Sequence, residues 1–275
     1  MGTVNGALVK VFDVLFLPFS RLHPWWGMVF ISLLTGLFML WIFKRFSNQR
    51  AIRRTKDRIK AHLLEFRLYK DSPSATGRAF GLILIQNLRY LSLTLKPLLV
   101  MIIPLVLILA QLNARFGCRP LRTGESVLLK VRTTTGVDLL RTEISLGSSP
   151  GFVVETPPLR IEEEREIDWR IRAASPGRHE IAVRLGGETV SKSLDIGKSG
   201  LNALSPRRPG AGFFDALLNP AEKPLPRRSP AASVEIVYSD FRFSLFGPPL
   251  HWLLVFFVLT LAFGLGLKGL FKVEI

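Results

Sequence analysis

The sequence predicts a membrane protein of mixed α+β class, with three transmembrane helices, a cytosolic helical hairpin and an extracytoplasmic β-sandwich. Three observations predict it. Three apolar runs are each long enough to cross a bilayer, the residue pattern changes to two-residue alternation at Ser126, and positive charge gathers between the first two apolar runs. The chain has 275 residues, 48% of them hydrophobic, and a net charge of +16 from 37 Lys+Arg against 21 Asp+Glu. That composition excludes disorder, collagen-like repeats and a purely soluble nucleic-acid binder, so no specific DNA partner is expected.

Residues Trp25 to Phe43 carry no formal charge over 19 positions. At the helical rise this covers about 28 Å, close to the hydrocarbon thickness of a bilayer. A second run, Pro97 to Ala114, lies between Lys96 and Arg115, and a third, Leu250 to Leu267, stops at Lys268. Trp25, Trp26 and Trp252 fit the interfacial belts, and Lys96, Arg115 and Lys268 can snorkel from the ends.

Charge sets the orientation. Between Lys44 and Lys96 there are 13 basic and 3 acidic residues, a balance of +10, whereas Cys118 to Ile196 holds 12 of each sign. Under the positive-inside rule residues 44–96 stay in the cytoplasm, which puts the N-terminus and the 118–248 region outside and the C-terminus inside. The expected location is a bacterial inner (cytoplasmic) membrane. The expected boundaries are 1–24 for an outer interfacial helix, 25–43 for the first span, 44–96 for the hairpin and 97–117 for the second span. They continue with 118–196 for the β domain, 197–248 for a linker with a final strand, and 249–275 for the third span and a short tail.

The first 24 residues lack the order of a signal peptide, in which positive charge leads an apolar stretch and small residues mark a cleavage site. Gly6, Lys10, Asp13 and Ser20 share one side of a helical wheel, with Leu8, Val11, Phe12, Leu15 and Phe16 mostly on the other, as in a helix lying flat on the outer leaflet. In the hairpin, Ile52, Ile59, Leu63 and Phe66 recur at helical spacing, and after a break at Ser72-Pro73-Ser74 so do Phe80, Leu84, Leu88, Leu91 and Leu95. Two such stripes are expected to bury each other in a coiled-coil-like pair, with Pro97 marking re-entry into lipid. Arg50, Arg53, Arg54, Lys56, Arg58 and Lys60 surround the first stripe. They either contact anionic lipid headgroups and hold the topology, or bind ribosomal RNA or an arriving polypeptide.

Beyond Ser126, Val127, Leu129 and Val131 alternate with Lys130 and Arg132. Ile167, Trp169 and Ile171 alternate with charged residues, and Ile181, Val183 and Leu185 do the same. Further strands are expected at 137–146, 151–155 and 188–196, with Ser175-Pro176-Gly177 and Gly186-Gly187 as turns. Six or seven short strands in this length predict an immunoglobulin-like sandwich without its disulfide. The acidic run Glu162, Glu163, Glu164 and Glu166 is expected to be a solvated loop, since a calcium loop needs Asp, Asn and Gly at set spacings. Residues 197–230, rich in Pro, Gly, Ser and Arg, are expected to be an extended linker or loosely ordered loop. Within them Phe213, Phe214, Leu217 and Leu218 form an apolar turn that either dips into the bilayer surface or docks on the sandwich. A last strand, Val234 to Phe243, then leads to the third span.

Little of the sequence speaks for catalysis. His23, His62, His179 and His251 fall in different compartments, and no phosphate loop, nucleophile elbow or zinc-protease motif occurs. The lone Cys118 sits beside Arg115 and Arg119, which would lower its pKa if the thiol were open to them; an unpaired small residue at a helix end is the plainer reading. Gly264, Gly266 and Gly269 are read as small residues that let helices approach closely. No enzyme, metal or cofactor is expected.

An outer helix at Val4–Leu17, an inbound span at Trp25–Phe43, a basic helix at Asn48–Lys70 and the spans 97–114 and 250–267 occur in that order. The order resembles the core of the YidC/Oxa/Alb membrane-protein insertase superfamily, especially its three-span members. The resemblance covers about half of the chain and implies an open, partly hydrated groove between the spans, which lowers the cost of moving a polar segment through lipid. It makes Ser32, Thr35, Gln111, Asn113 and Thr260 candidate groove residues, with helix packing as their alternative role. It also implies insertase-like or chaperone-like activity on protein clients, with the ribosome as a further partner. The Arg that bacterial members place in the groove has no counterpart in span one, and Lys96 and Arg115 stand at the edges of span two. The alternative is a non-catalytic scaffold subunit of an envelope complex, whose β domain binds a partner.

Overall fold

The computed structural model describes residues 2–68, 73–197, 201–244, 247–271 and 273. Over these residues the chain is α+β, with three helices long and apolar enough to cross a membrane and with antiparallel β-sheets. It divides into two units, Met1–Gly27 with Leu107–Trp252, and Met28–Val106 with Leu253–Ile275.

The second unit is helical. Helix α2 (Pro24–Phe46) supplies its first long apolar segment, α3 (Gln49–Leu68) is the basic helix, and α4 (Pro73–Phe116) runs for 44 residues. Asn48 caps α3, its Oδ1 accepting the Ala51 N–H at 3.1 Å. The predicted break at Ser72-Pro73-Ser74 falls partly outside the described residues. Pro97 does not interrupt the chain: it and Pro104 both lie inside α4. A proline forfeits one backbone hydrogen bond, and the Leu-rich flanks on both sides keep the helix intact.

The hairpin stripes do not bury each other as expected. On α3 only the first half is covered, at Ile52 and Thr55, while Leu63 and Phe66 are exposed. On α4 the covered face runs through Ala79, Ile83, Gln86, Tyr90, Thr94 and Pro97, and the stripe Phe80, Leu84, Leu88, Leu91 and Leu95 lies on an open face. Helix α4 is apolar on more than one side, and a single partner helix covers only one of them.

The first unit contains helix α1 (Gly2–Phe16), the end of α4 and the β domain. Strand β1 (Ser126–Thr133) pairs with β5 (Glu166–Ala173) on one side and β9 (Ala231–Ile236) on the other. Strands β3 (Phe152–Val154) and β4 (Leu159–Ile161) add to β5, and β8 (Arg207–Arg208) adds to β9. A second sheet has the order β2 (Ile144–Leu146), β6 (Gly177–Leu185), β7 (Glu188–Ile196). A short pair, β10 (Arg242–Phe243) and β11 (Leu250–His251), precedes α6 (Trp252–Phe271), the third long apolar helix. The alternating residues Leu129, Val131, Ile167, Trp169, Ile171, Ile181, Val183 and Leu185 from both sheets form one core, on the faces the alternation predicts. Gly186 and Gly187, at φ +57 and +87, make the two-residue β6–β7 turn that needs left-handed backbone at both positions.

Two loop expectations are corrected. Residues 201–230 are knit into the domain: Leu201, Leu204 and Leu225 are buried, β8 joins the sheet, and helix α5 (Phe213–Leu218) follows. What holds this segment is charge. The Lys192 ammonium on β7 donates to Glu222 Oε2 and to the Ser205 carbonyl, both at 2.6 Å. The acidic run also divides: Glu162, Glu163 and Glu164 are solvated, but Glu166 is buried and receives Lys130 at 2.6 Å and Arg132 at 3.0 Å. Burial alone would raise Glu166, yet the two hydrogen bonds outweigh it and hold the carboxyl below its ordinary value.

Burial lowers the Lys192 ammonium against the opposing charge of Glu222, while Glu222, itself pushed up by burial, is held below the usual carboxylate value by Lys192. Replacing Glu222 by Ala strands a buried ammonium and is expected to destabilise the β domain by about 3 kcal/mol. Hydrogen exchange of the β6 and β7 amides, read in the full chain in detergent, measures it. Because Glu222 is depressed in the folded state, its contribution is present above about pH 4.5, the unfolded value, and fades as pH falls below it. In the Ala variant that part of the acid sensitivity is expected to disappear.

Candidate functional site

The groove residues fall into two sets. Ser32 and Thr35 lie one turn apart on the buried face of α2, with Met28, Ile31, Met39 and Leu40. Neither hydroxyl has a hydrogen-bond partner, and the same holds for Thr260 Oγ1 on α6. Three unpaired hydroxyls in one helical unit are an unusual investment, because each buried polar group left unpaired costs about 1–3 kcal/mol. Helices α2 and α6 approach closely at Gly36, where an added Cβ would lie 3.3 Å from the Thr260 carbonyl and 3.4 Å from the Gly264 nitrogen. The glycine that permits this contact therefore belongs to α2. Around Gly264, Gly266 and Gly269, read from sequence as the close-approach residues, a Cβ would meet open space.

Gln111 and Asn113, at the end of α4 in the other unit, have separate roles. Gln111 is buried, and both its side-chain Oε1 and its carbonyl accept from Arg115 Nη1, at 3.0 and 3.1 Å. Asn113 is exposed and lines a narrow cleft with Leu204, Ser205 and Arg207. Arg115, read from sequence as an edge cation, has a side chain 0% exposed and forms a knot with α1. Its Nη2 donates to Asp13 Oδ1 at 2.5 Å and to the Val9 carbonyl at 3.2 Å, and its guanidinium lies against Phe12 and Phe16. Phe12 and Phe16, expected to face lipid, are thereby buried against protein, Phe16 meeting Phe116 edge-on at 5.7 Å.

The signal for this knot was present. Asp13 is the sole acid of the first 43 residues and Arg115 the sole cation between Lys96 and Arg119. A lone charge in an apolar segment calls for a partner.

The basic residues of α3 stand as a solvated rim. Arg50, Arg53, Arg54, Arg58 and Lys60 are exposed and, among the described residues, form no ion pair. Lys56 is half-buried, its Nζ 6.0 Å from the centre of the Tyr90 ring on α4. Farther along α3, Leu63, Leu64 and Phe66 form an open apolar surface edged by Lys60 and Arg67. No family model, curated protein or solved structure matches this chain.

The most extended of these surfaces is on α4. Phe80, Leu84, Leu88, Leu91 and Leu95 continue through Leu98 to Ile102, all exposed, at three- and four-residue spacings that keep them on one side of the helix. This unbroken apolar stripe is about 33 Å long and runs from the hairpin, past Pro97, into the most apolar part of α4.

Burial makes Cys118 a poor nucleophile. Burial, followed by the fields of Asp240 and Glu235, pushes its thiol up to about 11, against the lowering that neighbouring arginines would give an open thiol. At neutral pH it stays protonated. Among the described residues no three metal-ligating side chains cluster.

Substituting Asp13 by Ala leaves the Arg115 guanidinium buried without its carboxylate. The expected loss is about 2 kcal/mol, less than for a fully buried pair because Asp13 is half-exposed. Thermal unfolding in detergent checks it, with Asp13→Glu expected to recover part of the loss.

Proposed function

We propose that this chain is an insertase-like or chaperone-like membrane protein. In this reading α2, α4 and α6 are the three transmembrane helices, and the α3–α4 hairpin receives apolar segments of membrane-protein clients. The observation that carries the reading is the continuous apolar stripe on α4. At about 66 Å, α4 is twice as long as the hydrocarbon is thick, so about half of it projects beyond the membrane. An apolar stripe left in water on the projecting half is costly, each buried Leu being worth about 1.5–3 kcal/mol. A client helix that covers the stripe recovers that free energy, and the stripe's continuity with the spanning half offers it a path into lipid. The cationic rim of α3 favours a client with acidic flanks, and it also suits anionic headgroups or ribosomal RNA.

The balance of +10 over residues 44–96 supports a cytoplasmic hairpin, with the N-terminus and the β domain outside. Ser32, Thr35 and Thr260 then supply hydroxyls at membrane depth that a polar client group, or water beside it, can use. The β domain, immunoglobulin-like in size and in its two sheets, serves as an outer partner module. A second reading, a scaffold subunit of an envelope complex, draws on the exposed apolar residues Val153, Val154 and Leu159 of β3 and β4, which extend the open edge of the larger sheet.

A photocrosslinker at Leu84 or Leu88 is expected to capture an arrested nascent membrane protein. The triple change Leu84→Ser, Leu88→Ser, Leu91→Ser is expected to cut the adduct yield at least about tenfold while leaving the protein's abundance unchanged. No adduct along the stripe, with normal insertion in a strain lacking the protein, would count against the insertase reading. A partner of fixed stoichiometry held by β3 and β4 would then favour the scaffold.

A further inference from the structure

The first unit contains a second feature that the client reading does not use. A cavity of about 980 Å³ opens between the turn Ser20–Pro24, the end of α4 and the loop Cys118–Thr123. Its size is that of a small-ligand site. Four arginines line it: Arg21, Arg115, Arg119 and Arg122.

Two of these are already neutralised. Arg115 is bound to Asp13, and Arg119 forks onto both oxygens of Glu125 at 2.8 Å. That fork, offset by burial and aided by the Arg122 backbone N–H, holds Glu125 down at about 2, so the pair stays ionised at any physiological pH. Arg21 and Arg122 are exposed, and among the described residues their guanidiniums have no ion-pair partner. The neighbouring Asp240 is already within 3.7 Å of Arg242. The cavity therefore carries two uncompensated positive charges. Arg115 adds no donor to them, since its side chain is 0% exposed and turned into the knot with Asp13. Phe116, Leu121 and Leu201 add an apolar part to a wall that also holds Ser20, His23 and Asn202.

We propose that this cavity binds a phosphoryl group, with the paired charges as its frame and Arg21 and Arg122 as its donors. The two guanidiniums come from separate segments, the Ser20–Pro24 turn and the Cys118–Thr123 loop. A tetrahedral phosphoryl group presents oxygens enough for a planar fork from each, whereas a carboxylate offers two oxygens in one plane. The group has two possible sources, an anionic phospholipid headgroup or free phosphate. The apolar part of the wall and the start of α2 beside it suit the headgroup. The lipid source rests on the membrane reading given above; the phosphate source does not, and neither depends on insertase activity.

The test uses the full chain reconstituted in phosphatidylcholine vesicles, with phenylglyoxal modification of each arginine followed by mass spectrometry. One arm adds phosphatidylglycerol to the vesicles and the other adds inorganic phosphate. Protection of Arg21 and Arg122 by about fivefold or more is expected in at least one arm, with Arg141, 90% exposed on the β domain, unaffected. Protection by phosphatidylglycerol alone identifies the headgroup, and protection by phosphate identifies the free anion. In a second measurement, the Arg21→Gln, Arg122→Gln double variant is expected to retain about tenfold less of the protecting anion at unchanged thermal stability. No protection in either arm, equal protection of Arg141, or equal retention by the variant would overturn the proposal.

Discussion

The constraint on which the rest depends is the mismatch between α4 and any bilayer. A helix of 44 residues with apolar residues along its open side cannot hide all of them in about 30 Å of hydrocarbon. Half of the apolar window of α2 is buried by the protein itself, against 11% for each of the other two long helices. Helix α2 is thus the interior member of its unit, and α4 and α6 present apolar surface outward. For α6, with 20 residues, lipid can cover that surface from end to end. For α4 it cannot, and in the proposed function the uncovered remainder is the surface a client would cover.

The β-bearing unit follows a different rule, in which buried charges are paired across long sequence separations. Asp13 reaches Arg115, Glu166 holds Lys130 and Arg132, and Lys192 holds Glu222. Such pairs add little net stability, since desolvation cancels much of their attraction, but removing one partner leaves a charge that the interior does not tolerate. They fix position: α1 against the end of α4, and the 201–230 segment against β7. The helical unit has the opposite economy, with hydroxyls unpaired on α2 and α6 and solvated cations on α3. The chain thus keeps its rigid chemistry beside the β domain and its open chemistry among the long helices.

Much of this was legible in the residues, and the exceptions have physical reasons. The two-residue alternation in β1, β5 and β6 located the core faces, because a sheet with one buried face leaves no other register. Gly186-Gly187 marked its turn because left-handed backbone is needed there. The apolar runs located α2 and α6 within a few residues. The continuity of α4 was hidden because proline is a weaker punctuator in a Leu-rich helix than in a polar one. The open stripe was hidden because helical spacing reveals that a face is apolar but not what covers it. The ordering of residues 201–230 was hidden because proline-rich composition reads as a linker, while the groups that pin it, Lys192 and Glu222, are 30 residues apart. At the site, the sequence picked out Ser32, Thr35 and Thr260 by polarity in an apolar helix, and the structure keeps all three unpaired. It passed over Arg115, whose partner lies 102 residues away.

The proposed topology puts the two ends of α4 on opposite sides of a membrane. Substituted-cysteine labelling with a membrane-impermeant maleimide, on a Cys118→Ser background that removes the sole native thiol, tests this directly. Arg54→Cys and Leu88→Cys are expected to label only from the cytoplasmic side and Arg172→Cys only from the opposite side. Labelling of Arg54→Cys and Arg172→Cys from the same side would contradict the account.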